Sequence, residues 1–193
     1  MPAAQTCRLF LALWPGAATR RTLLAERDRW AWPAHARPTA AGDLHLTLHF
    51  IGPVPAEQVS ALVPALAVAA PRFTLHPGSH AQWGEQVAVL EPAPPPAGLM
   101  WLHGQLAQAL RAQGLPVETR AFRPHVTLAR THGRVQPPPG DAAAWRWPVA
   151  SYVLAQSVPG RPYRVLARYR LGAATRGHGA QAAQAAQAAH AAR

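Results

Sequence analysis

Two stretches decide the fold: Leu44-His45-Leu46-Thr47-Leu48-His49-Phe50-Ile51-Gly52 and Phe122-Arg123-Pro124-His125-Val126-Thr127-Leu128-Ala129-Arg130. Each contains His-apolar-Thr-Leu, a pattern for which this composition gives about 0.01 chance occurrences, so two copies together are expected at about 10⁻⁴. The pair therefore calls for a cause. In an extended strand, side chains at i and i+2 share a face. Each stretch then projects a histidine and a threonine side by side, while Leu46 and Leu48 turn the other way, into a core. Strands are predicted over 44–50 and 122–130.

Outward from these stretches, the chain alternates strand and helix patterns. Bulky apolar residues over 8–14, closed by Pro15-Gly16, predict a buried strand. A helix is expected over 17–30, with Leu23, Leu24 and Trp30 on one side. Val59, Leu62, Val63 and Leu66 have the spacing of one helix face within 55–70, disturbed by Pro64. Segments 73–75 and 86–90 read as a hairpin. Leu99, Leu102, Leu106 and Leu110 mark a third helix ending at Gly114. Strands over 147–155 and 163–171 follow, the last alternating Tyr163, Val165, Ala167, Tyr169 and Leu171 with mostly basic residues. Strands interleaved with three helices, some of them in adjacent hairpins, predict an α+β fold. The folded unit is expected to be a single domain over 1–172. Residues 173–193 form an Ala/Gln-rich tail with a three-residue period, which keeps no stripe on one helix face and is expected to be disordered.

At 193 residues with 49% hydrophobic and 14% charged residues, the chain can bury a core and lacks a disordered composition. Its 19 basic residues are all arginine and stand against 8 acidic ones, giving a net charge of +11. That favours a polyanionic partner, although arginine together with abundant Ala, Pro and Gly also fits compositional drift. The lone Cys7 excludes a disulfide framework and a multi-cysteine metal site. No apolar run approaches the ~20 residues of a membrane span, so a cytoplasmic protein with no membrane partner is expected.

Two such strands side by side would line a cleft with two imidazoles and two hydroxyls. Near neutral pH one imidazole can serve as a base and the other, protonated, as an acid. Phosphodiester hydrolysis needs both, one to take the proton of the attacking water and one to supply the departing ribose oxygen. Threonine hydroxyls can hold the non-bridging oxygens where charge builds up. This chemistry calls for no metal and no cofactor.

With these two motifs, the opening Arg8-Leu9-Phe10-Leu11-Ala12-Leu13-Trp14-Pro15 and the 80-residue separation of His45 from His125, the chain resembles the 2H phosphoesterase superfamily. The nearest branch is that of the RNA 2',3'-cyclic phosphodiesterases, historically called 2'-5' RNA ligases. The resemblance implies a bilobal fold, with two pseudo-symmetric lobes of antiparallel sheet and flanking helices around a central groove. It implies that His45 donates a proton to the leaving 3'-oxygen and that His125 accepts one from water, giving a 2'-phosphomonoester. Thr47 and Thr127 match the phosphate-holding threonines, and Arg130 matches a substrate-binding position. RNA ends or nucleoside 2',3'-cyclic phosphates are the expected partners of a monomeric enzyme, with reverse 2'-5' ligation as a further capacity. The residues themselves do not distinguish the two imidazoles.

Other residues carry weaker expectations. His49 reads as lining the groove or as a solvated strand-end residue, and Phe50 as core. His35, His76, His80, His103, His132, His178 and His190 lack metal-site spacing and read as surface residues. Arg123, Arg164, Arg168 and Arg170 either widen a basic groove or form a solvated face. Trp145 and Trp147 read as packing. Two rival functions stand beside the RNA reading: a phosphodiesterase for a small cyclic nucleotide or ADP-ribose cyclic phosphate, and a non-catalytic module that binds RNA ends.

Overall fold

Strand β1 (Thr6–Leu13) runs through the middle of the sheet, and its last five residues, Leu9 to Leu13, are buried. Pro15 and Gly16 end it, and helix α1 (Ala17–Asp28) turns Thr19, Leu23 and Glu26 inward. The short β2 (Arg37–Pro38) and a 3-10 turn lead into β3 (Leu46–Pro55). Then come α2 (Val59–Ala65), β4 (Phe73–Leu75), β5 (Ser79–Trp83), β6 (Val87–Glu91), α3 (Ala97–Ala112), β7 (Val126–Arg130), β8 (Trp147–Val149), β9 (Ser151–Ser157) and β10 (Arg164–Arg170). These assignments come from a computed structural model that describes residues 5–172 other than 77, 93, 141, 143 and 144. The expected tail, 173–193, lies outside the described residues.

Eight strands form one sheet in the order β10-β9-β1-β3-β7-β6-β5, with β2 also on β7. Every strand pair in it is antiparallel. The two halves meet where Leu46 of β3 pairs with Val126 of β7. This is the α+β, two-halved architecture the sequence predicts. The apolar stripe of α3, Leu99, Leu102, Leu106 and Leu110, is completely buried against the sheet's inner face. Each of these side chains contributes roughly 1.5–3 kcal/mol by leaving water.

The third helix ends as expected, but α2 is half the predicted length. Pro64 removes a backbone donor, and the helix stops at Ala65. Two tyrosines bond the backbone at and just beyond its end. Tyr152 Oη donates to Leu66 O at 2.8 Å and accepts from Val68 N at 2.8 Å, and Tyr169 Oη donates to Val63 O at 2.9 Å. The two phenol rings stack at 4.7 Å.

The predicted hairpin also differs. Segment 73–75 pairs with β8, forming a separate two-stranded sheet, and β6 pairs with β5, a strand hidden in a turn-like sequence. Half-buried Ser79–Trp83 has too little apolar content to show as a strand. The single strand expected over 147–155 breaks at Ala150 into β8 and β9. In β10 a register shift between Val165 and Ala167 interrupts the alternation, leaving Val165 exposed.

Candidate active site

The pairing of Leu46 with Val126 fixes the site. Extended by one residue each way in the antiparallel sense, it sets Thr47 opposite His125 and His45 opposite Thr127. His45, Thr47, His125, Thr127 and Arg130 line one cleft of 460 Å³. The five residues singled out in the sequence are thus brought together.

Both strands break the alternation at the same place. Along β1, Ala12 pairs with Thr47 and Leu11 with His49, so Leu48 is an extra residue. Along β6, Val89 pairs with Thr127 and Ala88 with Ala129, so Leu128 is extra. Each is a β-bulge, which reverses the facing of the residues that follow it, in β3 as far as a second shift at Ile51. His49 therefore goes inward, 3% exposed, with its Nε2 against His103 O at 2.9 Å. It neither lines the site beside His45 nor sits in solvent. Phe50 comes out into the cleft, 68% exposed, where core was expected. Arg130, the counterpart of Phe50 in the second motif, reaches the same cleft.

Both catalytic candidates are held alike. His45 Nδ1 donates to Asp43 O at 2.6 Å, and His125 Nδ1 donates to Arg123 O at 2.8 Å. A carbonyl can only accept, so each ring keeps its proton on Nδ1 and leaves Nε2 for proton transfer. His45 Nε2 lies 3.1 Å from Thr47 Oγ1.

Their surroundings differ. His45 sits among Phe10, Trp14 and Tyr163, at ring separations of 5.1, 5.5 and 5.3 Å, with the indole stacked nearly parallel. Burial pushes its pKa down, and the Asp43 carbonyl opposes this. His125 faces Trp83 at 4.3 Å, and the Arg123 guanidinium lies 4.3 Å over the same indole. Burial lowers the pKa of His125 too, against the Arg123 carbonyl and the Glu91 charge. Aromatic faces attract an imidazolium, an effect that offsets part of the desolvation of His45.

The sequence reading missed Trp83, Arg37, Trp14 and Tyr163. Arg37 and Trp83 line the cleft, and Tyr163 closes it beside His45. Arg123 stands beside the site, bonded to Glu91, whereas Arg164, Arg168 and Arg170 lie on β10, at the far edge of the sheet. His80 and His103 are not surface residues. The His80 side chain is 1% exposed with Nε2 3.1 Å from Glu26 Oε2, and His103 stacks between His49 and Phe122 at 4.0 Å from each. Trp147 is buried packing, as expected. No group of three or more His, Cys, Asp or Glu among the described residues could hold a metal ion. No helix among them is long and apolar enough to cross a membrane.

A profile of the 2'-5' RNA ligase superfamily matches residues 18–152. The chain belongs to that superfamily. This 2'-5' RNA ligase superfamily member is 36% identical over 151 residues to the RNA 2',3'-cyclic phosphodiesterase of Escherichia coli K12, covering 76% of this chain and 85% of that protein. The crystal structure of E. coli LigT complexed with 3'-AMP superposes with a TM-score of 0.77 at 34% identity, covering 86% of this chain and 99% of that one. LigT complexed with phosphate superposes at 0.71 and 35% identity, covering 86% and 98%. The superfamily member is a phosphodiesterase of the 2H phosphoesterase type.

Proposed function

We propose that this phosphodiesterase hydrolyses RNA 2',3'-cyclic phosphate ends to 2'-phosphomonoesters through His45 and His125. The observation that carries the reading is the facing of two His-Thr pairs across one cleft, each ring presenting Nε2. The curated relative's name gives the cyclic phosphate, and the bound phosphate and 3'-AMP of LigT fit a cleft for a nucleotide phosphate.

In this mechanism the phosphate lies between Thr47 and Thr127, whose hydroxyls donate to its non-bridging oxygens, and Arg130 adds charge. No carboxylate among the described residues is paired with Arg130. The anion raises both lowered imidazole pKa values, so a protonated His45 exists near neutral pH. His125 Nε2 takes a proton from water, the water oxygen bonds to phosphorus, the P–O3' bond breaks, and His45 Nε2 protonates O3'. Phe50, exposed in the cleft, offers a face on which the base stacks. The same groups run in reverse for 2'-5' ligation.

The test is hydrolysis of a nucleoside 2',3'-cyclic phosphate in excess chelator by wild type, His45→Ala and His125→Ala, with the product isomer identified. A 2'-phosphate, lost with either substitution, is the expected result. Loss of wild-type activity in chelator would overturn the two-histidine mechanism, and an untouched cyclic phosphate would overturn the substrate.

A further inference from the structure

Thr47 lies on a rung that crosses four strands. It pairs with Ala12 of β1, Ala12 with Val153 of β9, and Val153 with Arg168 of β10. Residues opposite one another on antiparallel strands share a face, so Arg168 stands on the cleft side of the sheet although β10 is its edge. With strands ~4.8 Å apart, its backbone is about 14 Å from that of Thr47. Between them Ala12 and Val153 make a floor of small residues, over which Trp14 and Tyr163 pack.

Trp14, which stacks on His45, also lines a separate hollow of 480 Å³, and the break between β8 and β9 at Ala150 forms part of its wall. The charged lining of this hollow is wholly basic. Arg20 of α1 and Arg168 of β10 meet there beside Ser151, and no Asp or Glu among the described residues lines it. Arg20 donates to Pro15 O at 3.1 Å, but its buried Nε has no hydrogen-bond partner among the described residues, and Arg168 donates to Ser151 Oγ at 3.2 Å. Neither guanidinium is paired with a carboxylate among those residues.

Two like charges brought to one hollow repel, and a buried donor without an acceptor costs free energy. An anion with several acceptor oxygens relieves both, and the fork of an arginine matches phosphate. On the proposed chemistry the departing O3' lies beside His45, so the nucleoside that carries it, and the chain upstream of that nucleoside, lie on the His45 side, where Trp14 leads to the hollow.

We infer that Arg20, Arg168 and Ser151 form a subsite for a backbone phosphate of the RNA chain upstream of its cyclic end. The chain crosses Trp14 and Tyr163 on the way, aromatic side chains of the kind on which unpaired bases stack. This subsite presupposes the proposed function and sharpens its substrate, from any nucleoside cyclic phosphate to a single-stranded oligonucleotide that ends in one.

Hydrolysis of a nucleoside 2',3'-cyclic phosphate is compared with that of a trinucleotide ending in the same group, by wild type, Arg20→Gln, Arg168→Gln and Arg168→Lys. Arg168 is exposed, so its variants keep the test open even where Arg20→Gln fails to fold. Wild type should favour the trinucleotide through a lower KM. Each Gln variant should lower kcat/KM for the trinucleotide about tenfold, the loss of roughly one charge-assisted hydrogen bond, while the nucleoside substrate stays within twofold. The slope of log KM for the trinucleotide against log salt should flatten by about 0.7, one phosphate contact to a single strand, in the Gln variants but not in Arg168→Lys. A wild type without preference for the trinucleotide would overturn the inference, as would Gln variants identical to wild type. Equal losses on both substrates would overturn it too, assigning the arginines to the support of Trp14 and His45. A wild type inert on both substrates would overturn the proposed function itself.

Discussion

Glu91 binds Arg123 at 2.8 Å through the same carboxylate oxygen that accepts from Trp83 Nε1 at 3.2 Å. One acidic side chain thereby fixes both partners of His125, the indole its ring faces and the residue whose carbonyl holds Nδ1. Its charge also favours the His125 imidazolium. Glu91→Gln keeps an oxygen acceptor and removes the charge. The pH limb belonging to His125 should move to lower pH and kcat should fall, with KM little changed. A pH profile of kcat/KM superimposable on wild type would show that Glu91 does not position this base.

The threonines should matter through their hydroxyls alone. Thr47→Val and Thr127→Val preserve branching and strand fit, yet each removes one donor to the phosphate. By analogy with lost oxyanion donors, kcat should fall roughly 10²-fold with little change in Tm. Steady-state kinetics and a thermal melt on the same samples decide this.

Phe50 is 68% exposed and packs against little, so Phe50→Ala should leave stability almost unchanged. A lost stack of roughly 1–3 kcal/mol raises KM between about 5-fold and 150-fold. An unchanged KM would mean that the base lies elsewhere.

Acid should weaken the fold. His45, His49, His80, His103 and His125 all have folded pKa values below the ordinary 6.5. Between the folded and unfolded values the unfolded chain binds more protons, so the stability these residues contribute is present above about pH 6.5 and drains as pH falls. For His103 the window extends to about pH 4. The urea midpoint should be lower at pH 5 than at pH 7.5. His103→Phe, which retains a ring in the stack, should narrow that difference.

Tyr152 carries a conventional structural load. Tyr152→Phe leaves Leu66 O and Val68 N without their buried partner, a loss of about 1–3 kcal/mol. Urea denaturation of the variant measures it directly.

Much of the site was legible because its chemistry repeats. His45, Thr47, His125 and Thr127 stood out by duplication, and Arg130 by the family resemblance. Phe50 was misread because strict alternation after Thr47 leaves no way to see a residue inserted at Leu48. The signal existed in the 80-residue offset, which places Phe50 on the position of Arg130. His80 and His103 were assigned to the surface because a lone histidine shows no periodic pattern, and only the tertiary fold brings Glu26 to one and Phe122 to the other. Trp83 was hidden because β5 has a turn-like composition, and the partner of β4 lies more than 70 residues along the chain, beyond any local pattern.

The twin bulges divide the motif into two parts with separate duties. Acid–base and phosphate-holding positions precede the inserted leucine, and the position exposed after it holds a ring in one half and a cation in the other. An identical backbone slot thus accommodates unrelated side chains without disturbing the imidazoles upstream. Mutation at 50 can retune which molecules are accepted while the reaction itself stays intact, whereas the cation at 130 still serves the phosphate, so the same slot is given to recognition in one half and to chemistry in the other.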